Sequence, residues 1–204
     1  MRVAQPVFFL LAGPNGAGKS TLFRAAVAEG LIPAEAKFVN ADLFEAAHLQ
    51  HIGNPQLRSE QAREWADGRR AELLEAGQSF VSETVFSHES KLALIEHAQH
   101  CGFAVVLLGV CLDDPKRLLA RVQQRVQEGG HAVPGERILA RYPRTLSHLA
   151  RAVRLADLAL LYDTGGANDE TDKVYPPVRV AVCRGQETRR LVKRLPKWAK
   201  LVLG

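Results

Sequence analysis

Residues 13–20 read G-P-N-G-A-G-K-S, directly after the apolar run VFFLLA and directly before KSTLFRAAVA. GxxxxGK followed by a hydroxyl residue constrains three neighbours at once. The residues before it must form a strand and those after it a helix. The turn between them must aim successive backbone N–H groups inward at the positive end of that helix. Glycine lets the backbone approach an anion closely because no Cβ stands in the way. Lys19 adds a full charge, the Ser20 hydroxyl is placed to ligate Mg²⁺, and Thr21 can reach a second phosphate. Gly13, Pro14, Asn15, Gly16, Ala17, Gly18, Lys19, Ser20 and Thr21 are therefore the expected binding residues for ATP, or alternatively GTP, with Mg²⁺.

Strand and helix alternate along the rest of the chain. Apolar runs predict strands at 7–11, 37–40, 79–83, 103–110, 158–162 and 178–183. Most are continuous rather than alternating, as in strands covered on both faces. The expected fold is α/β in three layers, a P-loop NTPase with a mainly parallel sheet of five to six strands, as one domain over 1–204. Helices are predicted at 19–29, 58–76, from a Ser87 cap to a Gly102 stop, and over 114–155. The last stretch reads as a helical lid inserted before strand five. GGHAVPG interrupts it, and Pro143 is expected to kink or break its second half.

Composition narrows the classes. With 204 residues, 47% of them hydrophobic, the chain can bury a substantial core. Cys101, Cys111 and Cys183 are scattered and odd in number, which argues against a disulfide framework or zinc site and fits a reducing cytoplasm. The N-terminal apolar run is too short for a membrane span and reads as a buried strand. A net charge of +5 points to an anionic ligand, nucleic acid or a phosphorylated small molecule.

An ABC ATPase would carry an LSGGQ-like signature, and a motor ATPase a strand ending in an acidic pair. The chain is read as having neither, and a small-molecule kinase fits its length. Such an enzyme needs a carboxylate beside the acceptor hydroxyl, on the sheet edge that carries the phosphate loop. Asp42, in FVNADLF, is the candidate base, with helix capping as its alternative role. Glu83 ends strand three; it can orient Mg²⁺ waters, accept from substrate hydroxyls, or pair with an arginine. Thr84 extends the same edge. Arg117, Arg121 and Arg125 repeat every four residues, and Arg137, Arg141 and Arg144 nearly so. The two faces read either as a phosphate-closing lid or as a solvated basic surface. Glu83, Thr84 and Arg121 are the substrate-side candidates. His131, in the lid turn, could contact phosphate or serve the turn itself; the other histidines suggest no metal site.

GPNGAGKST, NAD after strand two, GQSFVSETVFS, RVQQRVQEGGHAVP, RYPRTL and ADLALLYDT occur in the order seen in zeta-toxin kinases, and over residues 8–163 the chain resembles that family. The resemblance implies a nucleoside-kinase-like fold and ATP-dependent phosphorylation of a hydroxyl, with Asp42 as base. It also implies phosphate-clamping roles for Arg125, Arg141 and Arg144. Better-known members phosphorylate UDP-N-acetylglucosamine and are held inactive by a small antitoxin. They supply a candidate acceptor and a candidate partner. A polynucleotide 5′-hydroxyl kinase would need a basic groove with stacking aromatics, and aromatics are only 6% of this chain. A non-catalytic nucleotide-binding interaction protein would keep GKST without needing Asp42.

Overall fold

Every residue of VFFLLA is apolar, and both of its sides are used. In β1 (Val7–Ala12), Phe8, Leu10 and Ala12 face one helical layer, while Phe9 and Leu11 face the other. A strand buried on both faces belongs inside a sheet. β1 lies between β3 (Phe80–Thr84) and β4 (Ala104–Cys111), parallel to both. The computed structural model describes residues 5–128, 133–166 and 175–204. The other strands are β2 (Lys37–Val39), β5 (Leu158–Asp163), β6 (Val178–Arg184) and β7 (Glu187–Arg190). The sheet order is β2-β3-β1-β4-β5-β6-β7, with the first five strands parallel and β6 and β7 antiparallel.

Two helical layers enclose the sheet. On one side, α1 (Lys19–Ala28) and α5 (Pro115–Gln127) bury Leu22, Ala26, Leu118 and Val122 against Phe9, Leu11 and Val110. On the other lie α3 (Pro55–Glu75), α4 (Ser90–His100), α6 (Gly135–Leu155) and α7 (Lys197–Leu203). α2 (Ala41–His48) leaves β2 and stacks Phe44 on Trp65 of α3, ring centroids 4.0 Å apart. The helix pair predicted before β5 is present as α5 and α6; its connecting turn at 129–132, including His131, lies outside the described residues.

Four local expectations need correction. The sheet has seven strands rather than five or six. β7 escaped notice because ETRR has no apolar face; it exists as the return arm of a hairpin in which Arg184 pairs with Glu187 and Gly185 sits at φ 58°. A Gly-X step between two extended runs was the available signal. Ser87 does not cap α4. The first-turn N–H of Ser90 instead meets Nδ1 of His88 at 3.2 Å. Pro143 leaves α6 unbroken, because its ring is on the exposed side, while Thr145 and Leu146 hold the adjacent turn in the core.

The fourth concerns the end of β4, where Asp113 and Asp114 do form an acidic pair after a hydrophobic strand. Both are occupied as helix caps. Asp114 accepts from Lys116 N at 2.9 Å and starts α5. Asp113 accepts from the backbone N–H groups of Lys197 and Trp198, at 2.9 and 2.8 Å, and starts α7. This gives the basic, apolar tail its role. Trp198 is 1% exposed and donates Nε1–H to Asp163 at 2.7 Å. Burial holds the Asp163 carboxyl above its usual range, offset by the bonds from Trp198 and from Gly165 N–H. Trp198→Ala should lower stability by about 3–5 kcal/mol, read from the midpoint of urea unfolding.

Candidate active site

The phosphate loop is pressed against its neighbours more tightly than any side chain would allow. A Cβ at Gly13 would fall 2.1 Å from the carbonyl oxygen of Val110 in β4. Gly16, at φ 80°, would place one 2.6 Å from the carbonyl of Leu118 in α5. Gly18, at φ 92°, is the N-cap of α1 and supplies no capping side chain to its first-turn N–H groups. Thr164, just past β5, braces the loop from outside by donating to Ala17 O at 2.9 Å. Lys19 is buried across the loop, donating to Gly13 O at 3.0 Å and Pro14 O at 3.2 Å. The neighbouring Asn15 is 6% exposed, and its Oδ1 accepts no hydrogen bond among the described residues. The Ser20 side opens to solvent, and Thr21 lies beside it along the same cleft.

β3 brings the acids alongside. Glu83 Oε1 is 3.6 Å from Lys19 Nζ, and its Oε2 accepts from Asn40 Nδ2 at 3.1 Å. Of the roles weighed for Glu83, pairing with an arginine is not the one seen: its partners are Lys19 and Asn40. Asn40 also settles the alternative role weighed for Asp42. Its Oδ1 caps α2 by accepting from Leu43 N at 3.1 Å, so Asp42 stands two residues further in, exposed and free of capping duty. Asp42, Lys19, Asn40, Glu83, Thr84 and Arg141 line one cleft.

The arginines divide between two places. Arg121 is buried on α5 and sends Nη1 and Nη2 to Thr164 Oγ1 and O, at 3.1 and 2.8 Å. It lines the phosphate-loop cleft together with Arg24 and Arg125. Arg117 reaches Gly165 O at 2.6 Å instead. Arg141, on α6, faces the Asp42 cleft, and Arg144 lies further out along it. The expected pair of arginine faces therefore does not converge on one point. The first half of α6, which carries Arg137, Arg141 and Arg144, packs Ile138 into the same layer as α5, yet Arg141 turns to the Asp42 cleft while Arg121 and Arg125 line the phosphate-loop cleft. Burial, with Arg137 and Arg144 nearby, pulls the Arg141 pKa down; the Asp42 charge opposes this.

Sequence reading missed the wall of this cleft on α3 and α4. Arg63, Arg70, His88 and Lys91 line it beside Arg141, and its outer part encloses ≈ 730 Å³. Arg70 is ion-paired with Asp67 and donates to Ser82 Oγ at 3.2 Å. Burial and the Arg70 charge lower the Lys91 pKa. These residues sit on a helix face that reads as ordinary solvated charge, and only the return of α3 to β3 turns it inward. The β3–α4 turn contributes a strained residue, Phe86, fully buried at φ 62°. Thr145 and His148 of α6 bond the carbonyls of Val85 and Phe86, at 3.1 and 3.2 Å, and fix that turn.

A central parallel strand leading into a glycine loop and Lys19, with a carboxylate from the adjacent strand, defines the P-loop kinase fold. Within that class the chain belongs to the Zeta toxin family, whose sequence profile matches residues 1–170. Among solved structures it is similar to one from the PezAT toxin–antitoxin system of Streptococcus pneumoniae, at 18% identity and a TM-score of 0.60, covering 80% of this chain and 70% of that one. It is also similar to the AvrRxo1-ORF1:-ORF2 complex, at 19% identity and a TM-score of 0.69, covering 97% and 64%. A putative kinase from Chloroflexus aurantiacus follows at 20% identity and a TM-score of 0.51, covering 62% and 71%. At these identities the likeness is one of fold. No curated protein matches the chain. No described helix is long and apolar enough to cross a membrane.

The loop geometry sets a direct test. Gly13→Ala forces β4 and the loop apart, and should weaken binding of a fluorescent ATP analogue about tenfold or more, equal to ~1.4 kcal/mol.

Proposed function

We propose that this protein is an ATP- and Mg²⁺-dependent kinase that phosphorylates a hydroxyl of a small anionic acceptor. A UDP-sugar such as UDP-N-acetylglucosamine is the first candidate, and the toxin of a toxin–antitoxin pair, neutralised by a small antitoxin, is the proposed setting. One observation carries the reading. Asp42 stands uncommitted between the phosphate loop and a basic cleft large enough for a metabolite.

The glycine cradle, the α1 N-terminus without a capping side chain, and Lys19 across the loop fit a triphosphate. Ser20 would hold Mg²⁺ together with phosphate oxygens; the ion would neutralise charge on the β and γ phosphates. An acceptor hydroxyl beside Asp42 gives up its proton to the carboxylate as its oxygen bonds to the γ-phosphorus and the bond to the ADP oxygen breaks. Lys19, released from the loop carbonyls toward the phosphates, and Arg125 offset the charge that develops. Arg141 meets the acceptor beside Asp42, at the inner end of the basic cleft. Glu83 and Asn40 keep Lys19 and the α2 N-terminus in register, and Thr84 lies beside the reacting hydroxyl.

Anionic acceptor chemistry follows from the wall. Arg63, Lys91, Arg141 and Arg144 crowd a partly desolvated space in which the one carboxylate among the described residues, Asp67, is shared between Arg70 and Lys91, the latter at 3.8 Å. An acceptor phosphate would relieve that crowding, and a neutral sugar would not.

Phosphorus NMR of products formed from ATP with UDP-N-acetylglucosamine, other phosphorylated alcohols and neutral sugars tests this directly. Asp42→Asn should lower kcat by about 10²–10⁴-fold and leave the KM for ATP unaltered. Unchanged turnover in that variant would sink the base assignment. Lys91→Ala and Arg144→Ala should each raise the acceptor KM about tenfold, with little change in kcat. Equal use of neutral sugars would overturn the anionic acceptor.

A further inference from the structure

The net charge of the chain is not spread over it. Residues 176–204 hold eight Lys and Arg against the single acid Glu187, a net +7 where the whole chain has +5. The residues before them are therefore acidic overall, by a net −2. All of that charge sits on β6, β7, α7 and the segment joining them, and these lie beyond the family match, which ends at residue 170.

Arg179 is used internally, over the Tyr162 ring and 3.6 Å from Glu29. The other seven, Arg184, Arg189, Arg190, Lys193, Arg194, Lys197 and Lys200, are all exposed. None forms a salt bridge among the described residues. Arg194 shares a cavity with Asp113, Asp114 and Asp163 without pairing with them, and like charges gathered in this way cost free energy through mutual repulsion unless an anion meets them. Protecting a sheet edge needs only a charge or two on the strand itself. Here the cluster runs past β7 into Lys193, Arg194 and α7, away from the edge. The surface also lies four strands from β1, roughly 19 Å across the sheet, so it is separate from the phosphate loop.

From this we infer that the β6–β7 hairpin and α7 form a docking surface for the phosphate backbone of nucleic acid. Protein interfaces are depleted of charge at their centre and gather around apolar anchors. β7, Glu-Thr-Arg-Arg, is fully exposed and offers none, and the exposed large apolar residues of the segment, Val178, Leu191 and Leu201, stand at separate positions along it among seven exposed cations. Phosphate-backbone surfaces are charged throughout, and the arginine fork suits phosphate oxygens. The one tryptophan of the segment is buried, so stacking on bases is not provided for. Binding is accordingly blind to base sequence and to DNA against RNA.

The probe is a fluorescein-labelled single strand of mixed sequence, about 20 nucleotides long, as DNA and as RNA, followed by anisotropy over a salt series. Both should bind, with log affinity falling against log salt by about 0.7 per phosphate contacted. Reversing Arg189, Arg190, Lys193 and Arg194 to Glu should flatten that slope by about 3 and abolish binding at moderate salt. The same four changed to Gln give an intermediate loss, and unaltered ATP-analogue binding shows that both variants are folded. Lys91→Glu, in the acceptor cleft, should leave the nucleic-acid affinity unchanged. Undiminished binding by the reversed variant, or a loss produced only by Lys91→Glu, overturns the proposal. So does stronger retention by polyglutamate, or by phosphatidylserine vesicles, which would assign the surface to an acidic protein or a membrane.

Discussion

The rest of the site depends on how closely the phosphate loop is held. Its backbone touches the carbonyl of Val110 on one side and that of Leu118 on the other, at separations that exclude a Cβ. Those contacts fix where α1 begins and where its unpaired N–H groups point. A loop held only by its own turn would have to be ordered by its ligand, at a cost in affinity. Here β4 and α5 do the ordering in advance. Thr164 completes the enclosure by joining the loop carbonyl of Ala17 to the guanidinium of Arg121.

Two consequences follow for the arginines. Arg121 spends its terminal nitrogens on the brace, so its contribution to the phosphate region is partly architectural. Arg141, on the first half of α6, approaches the reacting region from the acceptor cleft. The site is thus assembled from two half-clefts that meet at Lys19 and Glu83, with Asp42 on the acceptor side of the junction. The strained turn at Phe86 belongs to the same junction, with α6 hydroxyl and imidazole groups holding its carbonyls.

Much of this could be read from the chain alone, for identifiable reasons. A glycine loop with a fixed spacing forces a strand before it and a helix after it, and runs such as AVVLLGVC are apolar enough to reveal a central parallel sheet. What stayed hidden depended on distant partners. β7 has no apolar face and is a strand only because Gly185 turns it back on β6. The acidic pair Asp113–Asp114 after β4 went unread, and its use as two helix caps shows only once α7 and α5 are in place. Arg63 and Lys91 look like ordinary solvated charge, because nothing local says that α3 and α4 flank the same opening. Asp42 was ambiguous in sequence, since an aspartate there can cap a helix, and geometry gives that task to Asn40.

The seating of Trp198 bears on the site as well as on the core. Its indole N–H holds Asp163, and the next residue, Thr164, is the one that braces the phosphate loop. The C-terminal helix is therefore two bonded steps from the nucleotide cleft without lining it. Protease clipping ahead of α7, or a fusion that pries the helix off, would loosen the loop through that chain.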